Sequence, residues 1–282
     1  MSTIERMSAS VLAARRSKRG GVGVGRRLDG RVSVIVPCFN TVTTIESVLE
    51  ALLRHTEGVV AEVLVIDNHS SDGTADLVEK LVHRYDAEGY HVALLRNPEN
   101  LGYGGSIKRG FASLTVSAPF VAIMHADEQC DSARTLLDLA DAYEQDPEPD
   151  IVLVSRFMDG ARLAGYSPLR QLANRFFNRF TAIVCGVSMS DAGAAIMIAR
   201  SEAIASLPYE RMTSGYQFHP QLNLVLYSEP DLRITEVPLE WRDAETQVKF
   251  NLVAYGLTLS RILLRFGWQR RVMRRSSIEA VA

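Results

Sequence analysis

Residues 120–132, "FVAIMHADEQCDS", put two kinds of sequence side by side. Positions 120–124 are an uninterrupted apolar run, and His125, Asp127, Glu128 and Gln129 follow at once. A short continuous apolar run of this kind fits a strand buried on both faces. The polar residues then stand at the strand's carboxyl end, which in open α/β sheets is where ligands bind.

Working outward, the pattern repeats. "VSVIVPCF" (32–39), "AEVLVIDN" (61–68), "HVALLRN" (91–97) and "PDIVLVSRF" (149–157) are further apolar runs. Helical periodicity fills the gaps at 43–55, 73–85, 104–114 and 133–145, with Thr43 or Thr44 capping the first helix and Glu46 in its first turn. The alternation predicts a single α/β domain, a mostly parallel Rossmann-like sheet covered by helices on both faces. Polar residues follow two other strands, as Pro37-Cys38-Phe39-Asn40 and as "DNHSSDGT" (67–74). Asp72 reads as a helix cap; Asp67 comes too early to cap that helix and reads as a ligand contact.

Composition narrows the class. The 282 residues are 47% hydrophobic, enough for a sizeable core. The three cysteines have no metal-ligand spacing, and their odd count argues against a disulfide framework, so a reducing cytoplasm is expected. No apolar h-region marks a signal peptide, and no uncharged stretch is long enough to span a bilayer. "GVGVG" in the N-terminal arm lacks the ending of a phosphate loop, and no G-x-G-x-x-G follows the first strand, which disfavours a dinucleotide-binding dehydrogenase. Residues 1–31 hold eight Arg and Lys against two acids, and 261–282 hold six Arg against one Glu. The remaining middle carries a net charge of −13. The basic ends read either as solubilising tails or as contacts with an anionic surface; no nucleic-acid partner is expected.

Taken in order, "VSVIVPCFN" (32–40), "VLVIDNHSSDGT" (63–74), "NPENLGYGGSIKRGF" (97–111) and "MHADEQCD" (124–131) resemble the GT-A domain of family-2 glycosyltransferases, and among them the dolichol- or polyprenyl-phosphate sugar transferases. The resemblance implies a flexible basic arm at 1–30 and a GT-A domain at 31–250. Within that domain 31–131 would form the nucleotide-sugar half and 132–250 the acceptor half. An amphipathic helix and basic tail would follow at 251–282.

The resemblance also assigns residues. "HADEQ" occupies the place of the family's Asp-x-Asp motif, so Asp127, Gln129 and His125 are the expected ligands of Mg2+ or Mn2+, with His125 standing where type members have Asp. Such an ion neutralises charge developing on a leaving diphosphate. Asp67 matches the acid that reads the base or ribose, Pro37 and Phe39 the segment along the base, and Gly102 the loop closing under a UDP- or GDP-sugar. Ala126 and Asp127 line the same nucleotide sugar. Arg242 and Lys249 match residues that grip phosphates, with Arg242 and Asp127 expected in the catalytic set. Arg156, Arg175 and Arg242 are candidates for an acceptor phosphate. The stretch "TSGYQFHPQLNL" (213–224) has no carboxylate where enzymes acting on sugar hydroxyls place their base; a phosphate acceptor is already an anion and needs none. His219 or Asp191 would otherwise be the base, and Asp191 reads equally as a structural carboxylate.

The function implied is therefore inverting transfer to a polyprenyl phosphate. The alternatives are transfer to a hydroxyl of a polysaccharide or natural product, or a non-catalytic nucleotide-sugar-binding homologue. A lipid acceptor implies contact with the inner face of a membrane through the basic tail after "NLVAYGLTLSRILLRFGW" (251–268), unless that segment packs on the sheet. Homo-oligomerisation is left open.

Overall fold

The computed structural model describes residues 28–113, 118–145, 148–243 and 251–280. Nearly all of the expected arm at 1–30, and Lys249 with it, lie outside the described residues. Leu28 is fully buried, so the body begins slightly before position 31.

Seven strands form one sheet in the order β3-β2-β1-β4-β7-β5-β8. They are β1 (Val32–Cys38), β2 (Val60–Asp67), β3 (Val92–Arg96), β4 (Phe120–Ile123), β5 (Ile151–Ser155), β7 (Met197–Arg200) and β8 (Ile234–Pro238). All pairings are parallel except those of β7, which runs antiparallel to both β4 and β5. Two short strands, β6 (Arg162–Ala164) and β9 (Glu240–Arg242), pair parallel beside it. All seven residues of β1 are buried, as a central strand covered on both faces requires. The apolar run at 120–124 forms a strand that ends at Ile123, and His125 to Gln129 form a turn beyond it.

The helices follow the expected alternation. They are α1 (Ile45–Arg54), α2 (Thr74–Ala87), α3 (Tyr103–Ser113), α4 (Ser132–Asp141), α5 (Pro168–Cys185), α6 (Ser201–Ala205), α7 (Phe218–Leu226), α8 (Leu252–Arg271) and α9 (Ser277–Ala280). In α1 the buried set Ile45, Val48, Leu49 and Leu52 has the spacing of one helical face. Two apolar clusters, one on each face of the sheet, form the core. The structure corrects one cap: Thr44 holds the N-cap position of α1, but its hydroxyl caps nothing and reaches the carbonyl of Ala126 at 2.6 Å.

Parallel pairing brings the carboxyl ends of β2, β1 and β4 to one edge in that order. Asp67, the segment from Cys38 to Asn40, and Asp127 therefore line a single crevice, with the β1 end in the middle. This edge is the candidate site.

Candidate active site

The β1 and β2 loops are bound to each other. The Asn40 N–H donates to Ser70 Oγ, the Thr41 N–H to Thr74 Oγ1 and the Val42 N–H to Asp72, while Asn40 Oδ1 accepts from the Ser71 N–H. Asp72 stands one residue before the N-cap, which is Gly73 rather than Asp72 as expected, and accepts from the Thr74 N–H at 2.9 Å. Burial opposes its charge, but these hydrogen bonds hold its carboxyl below the usual range. Asp67 is 3% exposed, and its Oδ2 accepts from the Ser70 N–H. A cleft of about 250 Å³ opens beside it, lined also by His69, Ser70, Arg96 and Asn97. Phe39 is 36% exposed on the β1 side of the crevice.

Asn68 does not face this cleft as a free polar group. Its amide bonds Asn97, Asn100 and the Leu101 N–H, tying β2 to the loop before α3. In that loop Gly102 has φ of +76°, and a Cβ there would sit 2.4 Å from the Ser214 carbonyl. A Cβ on Gly104 would meet Phe218 Cβ at 2.5 Å. Both glycines make room for the protein's own 213–218 segment. Lys108 secures the same contact by donating to the carbonyls of Glu210 and Met212, which gives it a structural role.

The turn after β4 is pinned from two sides. Ala126 is held through its carbonyl by Thr44, Glu128 takes the Ser47 hydroxyl at φ +55°, and the Arg242 N–H donates to the Gln129 carbonyl at 2.7 Å. That last bond sets β9 beside the turn and leaves the Arg242 side chain exposed at its rim. Asp127 remains a third exposed; its Oδ1 lies 4.0 Å from His125 Nδ1 and accepts from the Gln129 N–H at 3.3 Å.

His125 is boxed in by aromatic rings. Its Nε2 meets the Tyr103 hydroxyl at 3.3 Å, and Trp241 lies edge-on at 5.8 Å. Its Nδ1 is buried without a hydrogen-bond partner. Burial lowers its pKa despite Asp127, so the ring is neutral, the form that ligates metals. An unpartnered neutral nitrogen next to a carboxylate fits a divalent cation. Among the described residues no three His, Cys, Asp or Glu side chains converge as a metal cage. A cation at this turn would draw only a few donors from the protein and would complete its shell with a ligand's own oxygens.

In the half expected to take the acceptor, Arg156, at the end of β5, meets Asp191. Arg156 Nε lies 2.7 Å from Oδ2 and Nη2 2.8 Å from Oδ1. The N–H groups of Arg156 and Gly193 complete the carboxylate's set. A carboxylate has about four lone-pair sites, and four bonds reach this one. Burial opposes the guanidinium charge, but Asp191 outweighs it and raises the pKa further. Arg156 also lies 5.8 Å from the centre of the Trp241 ring. Arg175 is exposed on α5. His219 is fully buried with neither ring nitrogen partnered, and burial, aided by His125, pushes its pKa down to about 3.

Sequence reasoning missed the aromatic wall. Tyr103 stacks on Tyr216 at 5.7 Å and packs against the rings of both His125 and His219. A signal was available: both tyrosines follow glycine, in "LGYGG" and "SGYQF", and Trp241 adjoins Arg242.

A mixed sheet with one reversed strand, a crevice at three strand ends and an acid-bearing turn beyond β4 define a GT-A glycosyltransferase. The chain belongs to glycosyl transferase family 2, whose profile matches residues 33–207. It is 22% identical over 244 residues to a dolichyl-phosphate beta-glucosyltransferase of Trichomonas vaginalis, covering 82% of this chain and 70% of that one. It is 24% identical over 259 residues to glycosyltransferase AglD of Haloferax volcanii, covering 88% of this chain but only 39% of that protein. Among solved structures it resembles glucosyl-3-phosphoglycerate synthase from Mycobacterium tuberculosis bound to UDP. The TM-score is 0.59 at 20% identity, over 96% of this chain and 84% of that one. Complexes of that synthase hold Mn2+ or Mg2+ with UDP.

Proposed function

We propose that this glycosyltransferase moves a sugar, with inversion, from a UDP- or GDP-sugar to a polyprenyl phosphate. The observation that carries the reading is the engagement of Asp191. A hydroxyl acceptor needs a base to remove its proton. Asp191, the acceptor-side carboxylate, is already occupied by Arg156 and two backbone N–H groups. It acts as a positioning residue: it fixes the plane of Arg156, whose remaining N–H donors are left for an anion. The similarity to a dolichyl-phosphate transferase supports the same acceptor class.

In this reading Asp67 and Phe39 take the nucleoside, and Asp127 with His125 would hold the divalent cation, Gln129 contributing from the same turn. A bound cation supplies neutralisation of charge on the leaving diphosphate. Arg242, beside that turn, assists the diphosphate, and Arg156 orients the acceptor phosphate for attack at the anomeric carbon. Lys249 and Arg175 are retained as secondary phosphate contacts. The basic tail after α8 keeps the enzyme at the membrane face that presents its acceptor.

The test is transfer of radiolabelled sugar to a short-chain polyprenyl phosphate and to the polyprenol of the same length, both in detergent. Label in the phosphate-bearing lipid alone supports the reading. Equal rates with the alcohol would overturn it.

A further inference from the structure

Ten of the twelve large apolar side chains exposed among the described residues lie on α5, on α8 and in the turn after α8; the other two, Phe39 and Tyr216, border the active site. On α5 they are Leu169, Leu172, Phe176 and Ile183, exposed by 62–75%. At about 100° per residue these four fall within roughly 60° of one another around the helix. On α8 Val253, Leu257, Leu264 and Trp268, exposed by 53–73%, form a second stripe of the same width. The opposite side of α8 buries Leu259, Leu263 and Phe266 in the core. Thus α8 does pack on the body, and still carries an apolar outer face.

The two stripes form one surface. The helices run side by side in the same direction: Gly256 approaches the Phe177 ring, and Gly267 approaches the Val184 carbonyl closely enough to exclude a Cβ. On each helix the exposed stripe lies roughly 90–120° around from this line of contact, in opposite senses on the two. Parallel neighbours with opposite offsets turn both stripes to one side. Phe176 and Phe180, stacked at 6.0 Å, thicken that side.

Charge identifies what covers it. The sequences of α5 and α8 contain seven arginines and no acid, and Arg274 and Arg275 follow. The body between the two basic ends is strongly acidic. A second copy docking here would set these cations against themselves; an anionic bilayer meets them with opposite charge. Apolar stripe, interfacial Trp and basic flank are the composition of helices that lie in the headgroup layer. Among the described residues no helix is long and apolar enough to cross a membrane.

The surface also borders the acceptor site. Asn178 of α5 holds the turn that carries Asp191, bonding the Ser190 carbonyl and the Ala192 N–H. Tyr255 of α8 lies close enough to Arg156 and Asp191 for their charges to act on its hydroxyl, although burial is the main cause that pushes its pKa up to about 12. We infer that α5 and α8 together form a two-helix face that seats the enzyme on an anionic lipid bilayer and turns the Arg156 site toward the headgroup layer. This inference rests on the lipid-phosphate reading for its purpose and on the exposed face for its substance.

The experiment is cosedimentation of the full chain with phosphatidylcholine vesicles, with and without phosphatidylglycerol, at low and high salt. Binding to the anionic vesicles at low salt and release at high salt are expected. The exposed pairs L172S/F176S on α5 and L257S/W268S on α8 should each weaken partitioning about tenfold or more, because each removes apolar area from the interface. Circular dichroism checks that both variants stay folded. No vesicle binding by the parent chain overturns the inference, as does an α5 variant that binds like the parent. A stable dimer in light scattering that both variants dissociate would assign the face to a second copy instead. Transfer to detergent-dispersed polyprenyl phosphate, measured in parallel, separates the claims: vesicle binding without transfer sinks the acceptor reading alone, and transfer without vesicle binding sinks this face alone.

Discussion

Replacing Asp191 by Asn separates a clamp from a base. The parent carboxylate accepts four hydrogen bonds, three of them from Arg156. Asn keeps the shape but can accept only through its oxygen, and its amide nitrogen then faces an N–H of Arg156, donor against donor. The guanidinium side chain is only 15% exposed and would lose its counter-charge. Breaking a buried pair from one side costs about 3–5 kcal/mol; the surviving hydrogen bonds in Asn place the expected loss near about 3 kcal/mol. Urea denaturation reads it directly. Steady-state kinetics read the role: a clamp that orients Arg156 raises the acceptor KM, whereas a lost base lowers kcat by about 10²–10⁴ at constant KM. A stability loss below about 1 kcal/mol, the range of a surface pair, together with a pure kcat effect, would refute the clamp and restore Asp191 as the base.

Asp127→Ala should leave the fold intact, since its side chain is a third exposed, and should abolish turnover. In thermal denaturation the parent should gain about 2.7 kcal/mol from a nucleotide diphosphate at 100 times its dissociation constant; the variant should lose the Mn2+-dependent part, and a full metal-dependent gain in the variant would contradict the assignment. Gly104→Ala drives a Cβ into Phe218 Cβ and the Thr213 carbonyl, at 2.5 and 2.8 Å, and should cost about 1–3 kcal/mol in the same urea assay. The pH dependence follows from His219, neutral in the fold with a pKa of about 3 against 6.5 ordinarily. Below 6.5 the unfolded chain takes up a proton that the folded chain refuses, so stability is full above pH 6.5 and falls as pH drops toward 3. His219→Leu should flatten that slope, measured as denaturation midpoints across the window.

The strand ends were legible in the sequence because each is local: an apolar run followed by polar residues marks a buried strand and the mouth beyond it. Asp67, Asp127 and Phe39 lie together at one edge for that reason. The ties between segments were not legible. Arg156 and Asp191 are 35 residues apart, and nothing in either local sequence shows that they pair. Nor does "NLGYGG" reveal that its glycines make room for the 213–218 loop. The exposed stripe on α5 was hidden for a different reason: its apolar spacing is that of a core helix, and only the packed structure shows that this face turns outward.

The central claim, that the acceptor is a phosphate, is tested most directly by phosphorus NMR of a reaction holding sugar nucleotide, divalent metal and short-chain polyprenyl phosphate. The account predicts that the lipid's phosphomonoester signal is replaced by a phosphodiester, with one nucleoside diphosphate released for each diester formed and the anomeric centre inverted. Release of nucleoside diphosphate with the phosphomonoester untouched, and the sugar found on a hydroxyl, would contradict it.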